Sequence, residues 1–154
     1  MAGAFPAVEG TSLTPGAKLR GFTMIEVMIG LAIVAILAAI SVPSYSDYMR
    51  RSRLSSAFEQ LGTFRMRMEQ SYQDNNNYGT GGNCTLSAPA ATSYFQYSCA
   101  LTNSGQGFTA TATGTGQMSG YTFTTDASGS NATTAFPRGS SLPAPCWWTR
   151  VGDC

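Results

Sequence analysis

The hydrophobic positions are spread very unevenly along the chain. Between Phe22 and Val42 the sequence reads FTMIEVMIGLAIVAILAAISV, 21 residues with one ionisable side chain, Glu26. As a helix this run is about 31 Å long at 1.5 Å per residue, enough to cross the hydrocarbon layer of a bilayer. Pro43 follows; inside a helix a proline removes one backbone hydrogen bond and kinks the rod without having to end it. Beyond it Leu54, Phe58, Leu61, Met68 and Tyr72 fall at offsets of 0, 4, 7, 14 and 18, one stripe of a 3.6-residue repeat. The spacing therefore predicts that the helix runs on to about Asp74, with this stripe packed on a sheet. Two i,i+4 pairs, Asp47 with Arg51 and Arg65 with Glu69, are expected on its surface.

The pattern then changes. Residues 75–82, NNNYGTGG, favour turns over helix and predict a loop. Tyr94–Leu101, Gly107–Thr113 and Tyr121–Thr125 are rich in aromatic residues and threonine and are separated by Gly-containing clusters, which predicts strands. A turn over Asp126–Asn131 leads to a possible fourth strand, Asn131–Phe136. The expected fold class is α+β: a long N-terminal helix packed on a three- to four-stranded antiparallel meander, with disulfide-stapled loops.

Composition narrows the function. Charged residues make up 11% of the 154-residue chain, well below the roughly 25% of an ordinary soluble protein, and there is no histidine. Without imidazole the Ser-His-Asp and Cys-His arrangements cannot be built, and the commonest general base and metal ligand are missing. Cys84, Cys99, Cys146 and Cys154 contain no CxxC pair, so a structural zinc site is not indicated. No phosphate-cradling glycine loop is visible. The expectation is a protein that is not an enzyme and needs no cofactor or metal. Four cysteines downstream of the apolar run suit an oxidising compartment. Three pairings are possible, and local order favours Cys84 with Cys99 and Cys146 with Cys154. Trp147 and Trp148 beside Cys146 form either an exposed contact surface or part of the core.

Glu26 discriminates among readings of the apolar run. A secretory signal peptide, cut near Ala39 and Ser41, or a plain transmembrane anchor would leave a carboxylate in an apolar stretch, at about 2.5–3.5 kcal/mol on insertion scales. If the chain is cut between Gly21 and Phe22, the new α-amino group of Phe22 is a cation one turn from Glu26. The two charges then offset each other's desolvation, within a chain or between chains packed side by side.

Lys18-Leu19-Arg20-Gly21 followed by Phe22-Thr23-Met24-Ile25-Glu26 resembles the processing site of the type IV prepilins and related pseudopilins. The likeness continues through Ala35-Ile36-Leu37-Ala38-Ala39-Ile40, Pro43-Ser44-Tyr45, Asp47-Tyr48 and Arg50-Arg51-Ser52-Arg53. It implies that residues 1–21 are a leader removed by prepilin peptidase after Gly21, with N-methylation of Phe22. It also implies that 22–42 are a transmembrane and filament-core helix, 43–74 its amphipathic continuation, and 75–154 the outer domain. Phe22, Glu26 and Pro43 become assembly residues. The implied partners are other pilin subunits, the peptidase and an inner-membrane assembly platform, with DNA or a host surface as further candidates.

The implied location is the inner membrane with a periplasmic C-terminal domain, then the extracellular filament. The charges flanking the run do not decide this orientation, because Arg50, Arg51 and Arg53 after it oppose Lys18 and Arg20 before it. Within the family the residues look most like a minor pilin supporting assembly. A major pilin, a type II secretion pseudopilin and a DNA-capturing competence pilin are the alternatives.

Overall fold

The computed structural model describes residues 21–154, so the expected leader, apart from Gly21, lies outside the described residues. One helix, α1, spans Met24–Asn75 and is followed by β1 (Gly79–Thr80), β2 (Asn83–Cys84), β3 (Phe95–Thr102), β4 (Gly107–Gly114), β5 (Thr122–Asp126) and β6 (Asn131–Ala135). The chain divides into two compact units at Ser41 and Val42.

In the first unit, residues 21–41 are all exposed, including large side chains such as Ile25, Leu31, Ile36 and Ile40. Among the described residues nothing covers this apolar surface. Thr23 caps the start of the helix: the Glu26 amide donates to Thr23 Oγ1 at 3.3 Å, satisfying one of the orphan N–H groups of the first turn.

In the second unit, α1 is continuous through Pro43. It ends where Asn76 takes a left-handed φ of 52° and its N–H donates to the Tyr72 carbonyl at 2.7 Å, a closure that asparagine tolerates better than most residues. Its buried positions are Leu54, Ala57, Leu61, Phe64 and Met68, spaced 3, 4, 3 and 4. The packed stripe is thus rotated slightly from the expected one. Phe58 and Tyr72 are half-buried, their rings against other aromatic residues, while Ala57 and Phe64 are buried.

β3 to β6 form an antiparallel meander in the order β3-β4-β5-β6. The register pairs Tyr97 with Ala112 and Ala112 with Phe123, and Cys99 with Ala110 and Ala110 with Thr125. By strand alternation these rows face α1, and Ser98, Thr111 and Thr124 occupy the outer face. The small Ala110 and Ala112 let the helix approach β4, while Phe95, Phe108 and Phe123 fill the space around it; all five are at most 1% exposed. Gly114 closes this end of the sheet, since a Cβ there would overlap the Met118 carbonyl oxygen. The stretch 75–82, expected to be a plain loop, contains half of a two-stranded hairpin in which Gly79 faces Cys84 and Thr80 faces Asn83.

Candidate assembly segment and head surface

Phe22 is 83% exposed, and Gly21 has open space around its α-carbon. Glu26, in the first turn of α1, is exposed among exposed aliphatic side chains. Its backbone amide is capped by Thr23, and its carboxylate has no hydrogen-bond partner among the described residues. Pro43 lies on the exposed helix surface, and its carbonyl accepts from the Ser46 hydroxyl at 2.8 Å. An uncovered run with one carboxylate near its start can serve as a lipid-facing or subunit-facing rod. It offers no chemistry, and no cluster of metal-ligating side chains exists among the described residues.

The cysteines form two separate staples. Cys84 is bonded to Cys99, tying β2 to β3, and Cys146 to Cys154, closing the C-terminal segment on itself. That segment is also docked on β6. Ala144 and Thr133 exchange both backbone hydrogen bonds at 3.0 Å. The fully buried Thr133 hydroxyl donates to the Cys146 carbonyl at 2.7 Å and accepts from the Trp148 N–H at 2.9 Å. Trp148 is core, 4% exposed, with its ring against Phe136. Trp147 is half-buried, stacked on Phe58 at 5.0 Å, and its indole N–H donates to the Thr124 carbonyl at 2.8 Å. Neither ring is free to form an open contact surface. Asp153 caps the last turn through Thr149 and Arg150; the Thr149 hydroxyl first, and then the backbone amides, hold its carboxyl below the usual range.

The charged side chains are redistributed by tertiary contacts. Asp47 pairs with Arg50, at 3.2 Å, instead of Arg51. Glu69 does not pair with Arg65; it accepts from the Tyr78 hydroxyl at 2.9 Å. Burial, and then the Glu69 hydrogen bond, push the Tyr78 phenol up to about 12. Arg53 lies 4.3 Å from the centre of the Tyr94 ring and donates to Gln117, which holds one long side chain against the head. Arg65 packs beside Gly129 in the β5–β6 turn. Arg67, Arg138 and Arg150 remain exposed.

Comparison with known proteins places these features. Residues 17–42 match the prokaryotic N-terminal methylation motif. Fimbrial protein EcpC of Eikenella corrodens is 47% identical over 55 residues, 36% of each chain. Type IV major fimbrial protein FimA of Dichelobacter nodosus is 37% identical over 73 residues, 47% of this chain and 41% of FimA. Prepilin peptidase-dependent protein D of Escherichia coli K12 is 34% identical over 79 residues, 50% of this chain and 54% of that one. The matches therefore span about a third to a half of these relatives. A solved type IV pilin from Shewanella oneidensis superposes with a TM-score of 0.49 at 23% identity, covering 66% of this chain and 99% of that one. Residues 43–134, more than half of the chain, match the family described as type IV minor pilin ComP, DNA uptake sequence receptor, and the chain belongs to that family of type IV pilins.

Proposed function

We propose that the protein is a minor subunit of a type IV pilus that captures DNA for uptake. The observation that carries this reading is the family match over residues 43–134, whose description names both a minor pilin and a DNA receptor. On this reading prepilin peptidase removes residues 1–21 and Phe22 is N-methylated. Residues 22–42 anchor the subunit in the inner membrane through an assembly platform, with the domain from 43 onward on the periplasmic side. The same apolar surface then packs among neighbouring subunits in the extracellular filament. Glu26 of an incoming subunit meets the Phe22 amine of a neighbour, so that two charges too costly to bury singly enter the filament core together.

Phosphate contacts fall to exposed arginines. Arg138 precedes the disulfide-closed C-terminal segment, Arg150 lies within it, and Arg67 lies on α1. With a net charge of +1 for the whole chain, binding rests on a few such contacts and not on a broad field. The test is duplex DNA binding by the full chain at several salt concentrations. Replacing Arg138 and Arg150 with glutamine should weaken binding and flatten the salt slope by about 2, roughly one per phosphate contact. Absence of DNA binding, or an unchanged slope in that variant, would overturn the assignment. Mass spectrometry of sheared filaments tests the rest, since a minor subunit is scarce there and carries a methylated Phe22.

A further inference from the structure

Beyond Val42 the side chains of α1 change character in a definite order. Tyr45 and Tyr48 are 66% and 63% exposed, and Arg50, Arg51 and Arg53 follow, each half-buried. Their five α-carbons stand about 5, 9, 12, 14 and 17 Å of helix past Val42. At about 100° per residue Arg50 and Arg53 share one side of the helix, while Arg51 lies about 160° around from Arg53.

Helical side chains slant toward the N-terminus, and Arg50 shows the slant directly. Its guanidinium reaches back one turn to Asp47 at 3.2 Å, and it also donates to the Tyr121 hydroxyl at 3.5 Å. Arg53 is held 4.3 Å from the centre of the Tyr94 ring and donates to Gln117. Neither Arg53 nor Arg51 forms an ion pair among the described residues; Glu59 lines the same shallow groove as Arg51 without pairing with it. Three arginines and one carboxylate therefore share about two turns of helix, and two of the three guanidinium groups lack an anionic partner.

Apolar, then aromatic, then basic is the order of layers met on leaving an acidic bilayer: hydrocarbon, interface, anionic headgroups. On the anchor reading proposed above, on which this inference rests, residues 22–42 fill the hydrocarbon layer and the headgroup zone beyond them is about 5–8 Å deep. Side chains slanting back from Arg50 and Arg51 reach that zone, and Arg53 stays within a Debye length of it, about 8 Å at physiological ionic strength. A free phosphate cannot bridge arginines on opposite sides of a helix, and a rigid duplex or a folded protein meets one side. A bilayer surrounds a helix where it emerges and engages all sides at one height. We infer that Tyr45, Tyr48, Arg50, Arg51 and Arg53 form a docking collar for anionic phospholipid, which seats the end of the second unit nearest Val42 on the leaflet before assembly. The arginines after the apolar run thereby have a role on the side of the membrane that charge counting disfavours.

The experiment is electron paramagnetic resonance of the full chain reconstituted in phosphatidylcholine bilayers that carry a trace of spin-labelled phosphatidylglycerol or spin-labelled phosphatidylcholine. The immobilised fraction of each label gives the relative affinity of the lipid shell. Phosphatidylglycerol should be preferred about fivefold at low salt, the effect of one arginine at an anionic surface, and the preference should fall toward parity at high salt. Arg51→Gln removes a side chain that makes no ion pair, and it should lower the preference about twofold or more, whereas Arg51→Lys should keep it. Adding Arg53→Gln should bring the two lipids close to parity. Equal affinity for the two lipids in the parent, or a preference that neither salt nor Arg51→Gln reduces, would overturn the inference. Equal lipid affinity together with loss of duplex DNA binding in the double variant would assign these arginines to nucleic acid instead. Absence of any immobilised lipid would refute the anchor reading and this inference with it, whereas immobilised lipid without preference would refute the inference alone.

Discussion

Thr133→Val should loosen the C-terminal segment without changing its packing. Thr133 is fully buried, and its single hydroxyl both donates to the Cys146 carbonyl and accepts from the Trp148 N–H. Valine fills nearly the same volume, so cavity formation contributes little. What remains is a buried donor and a partly buried acceptor without partners. At about 1–3 kcal/mol for the Trp148 N–H and the low end of that range for the Cys146 carbonyl, the cost is about 2–4 kcal/mol.

Thr133→Ser keeps both hydrogen bonds and loses one methyl, for about 1 kcal/mol. Urea unfolding of the full chain, followed by tryptophan fluorescence, suits the question, because both tryptophans lie in the segment that would come loose. The midpoint should fall more for valine than for serine, with the slope unchanged. If the two variants are equally destabilised, or valine costs less than about 0.5 kcal/mol, the hydroxyl is not what holds the segment to β6.

Other expectations follow from the same geometry. Replacing Cys146 and Cys154 together with serine should cost about 2.5 kcal/mol by the loop-entropy account, and adding Thr133→Val should then cost less than it does alone, as a double-mutant cycle would show. Tyr78 should be among the last tyrosines to ionise in a phenolate absorbance titration. Its folded pKa, about 12, lies above the unfolded value, so the stability it contributes is present below pH 10 and lost between about pH 10 and 12. Tyr78→Phe should flatten that alkaline limb. For Asp126 the sign is opposite: a depressed folded pKa contributes stability above the unfolded carboxyl value that is lost as pH falls through the folded one, and Asp126→Asn should remove that part of the acid transition. Glu26→Ala should leave membrane insertion intact and reduce incorporation into filaments, read by immunoblot of sheared pili; normal incorporation would refute the pairing with Phe22.

The long apolar run, its lone carboxylate and the strand spans are legible in the sequence because each is a local property. A 21-residue stretch without a second charge, or threonine and aromatic segments cut by glycine clusters, depends on neighbours along the chain. The strands observed depart from those expected by a residue or so at their ends. Helical periodicity also located the packed side of α1. It could not say that Ala57 and Phe64 would be buried and Phe58 and Tyr72 only half-buried, because that depends on which rings stand opposite. Phe58 is drawn to Trp147 and Phe123, and Tyr72 to Tyr78.

The same limit explains the charge pairs. Glu69 has Arg65 at helical spacing, yet it accepts from Tyr78, which comes back over the helix through the turn after Asn75. The two disulfides join near neighbours in sequence, and local order among three possible connectivities was enough to favour them. The docking of Trp148 through Thr133 joins positions 15 apart by way of a strand edge, and the hydrogen bond from Arg53 to Gln117 joins positions 64 apart. Sequence alone determined which segments are apolar, extended or turning, because those are properties of consecutive residues. Only the tertiary structure decided which buried polar groups meet, because a hydrogen bond across a sheet edge is set by register and close packing, and neither is written in any local stretch.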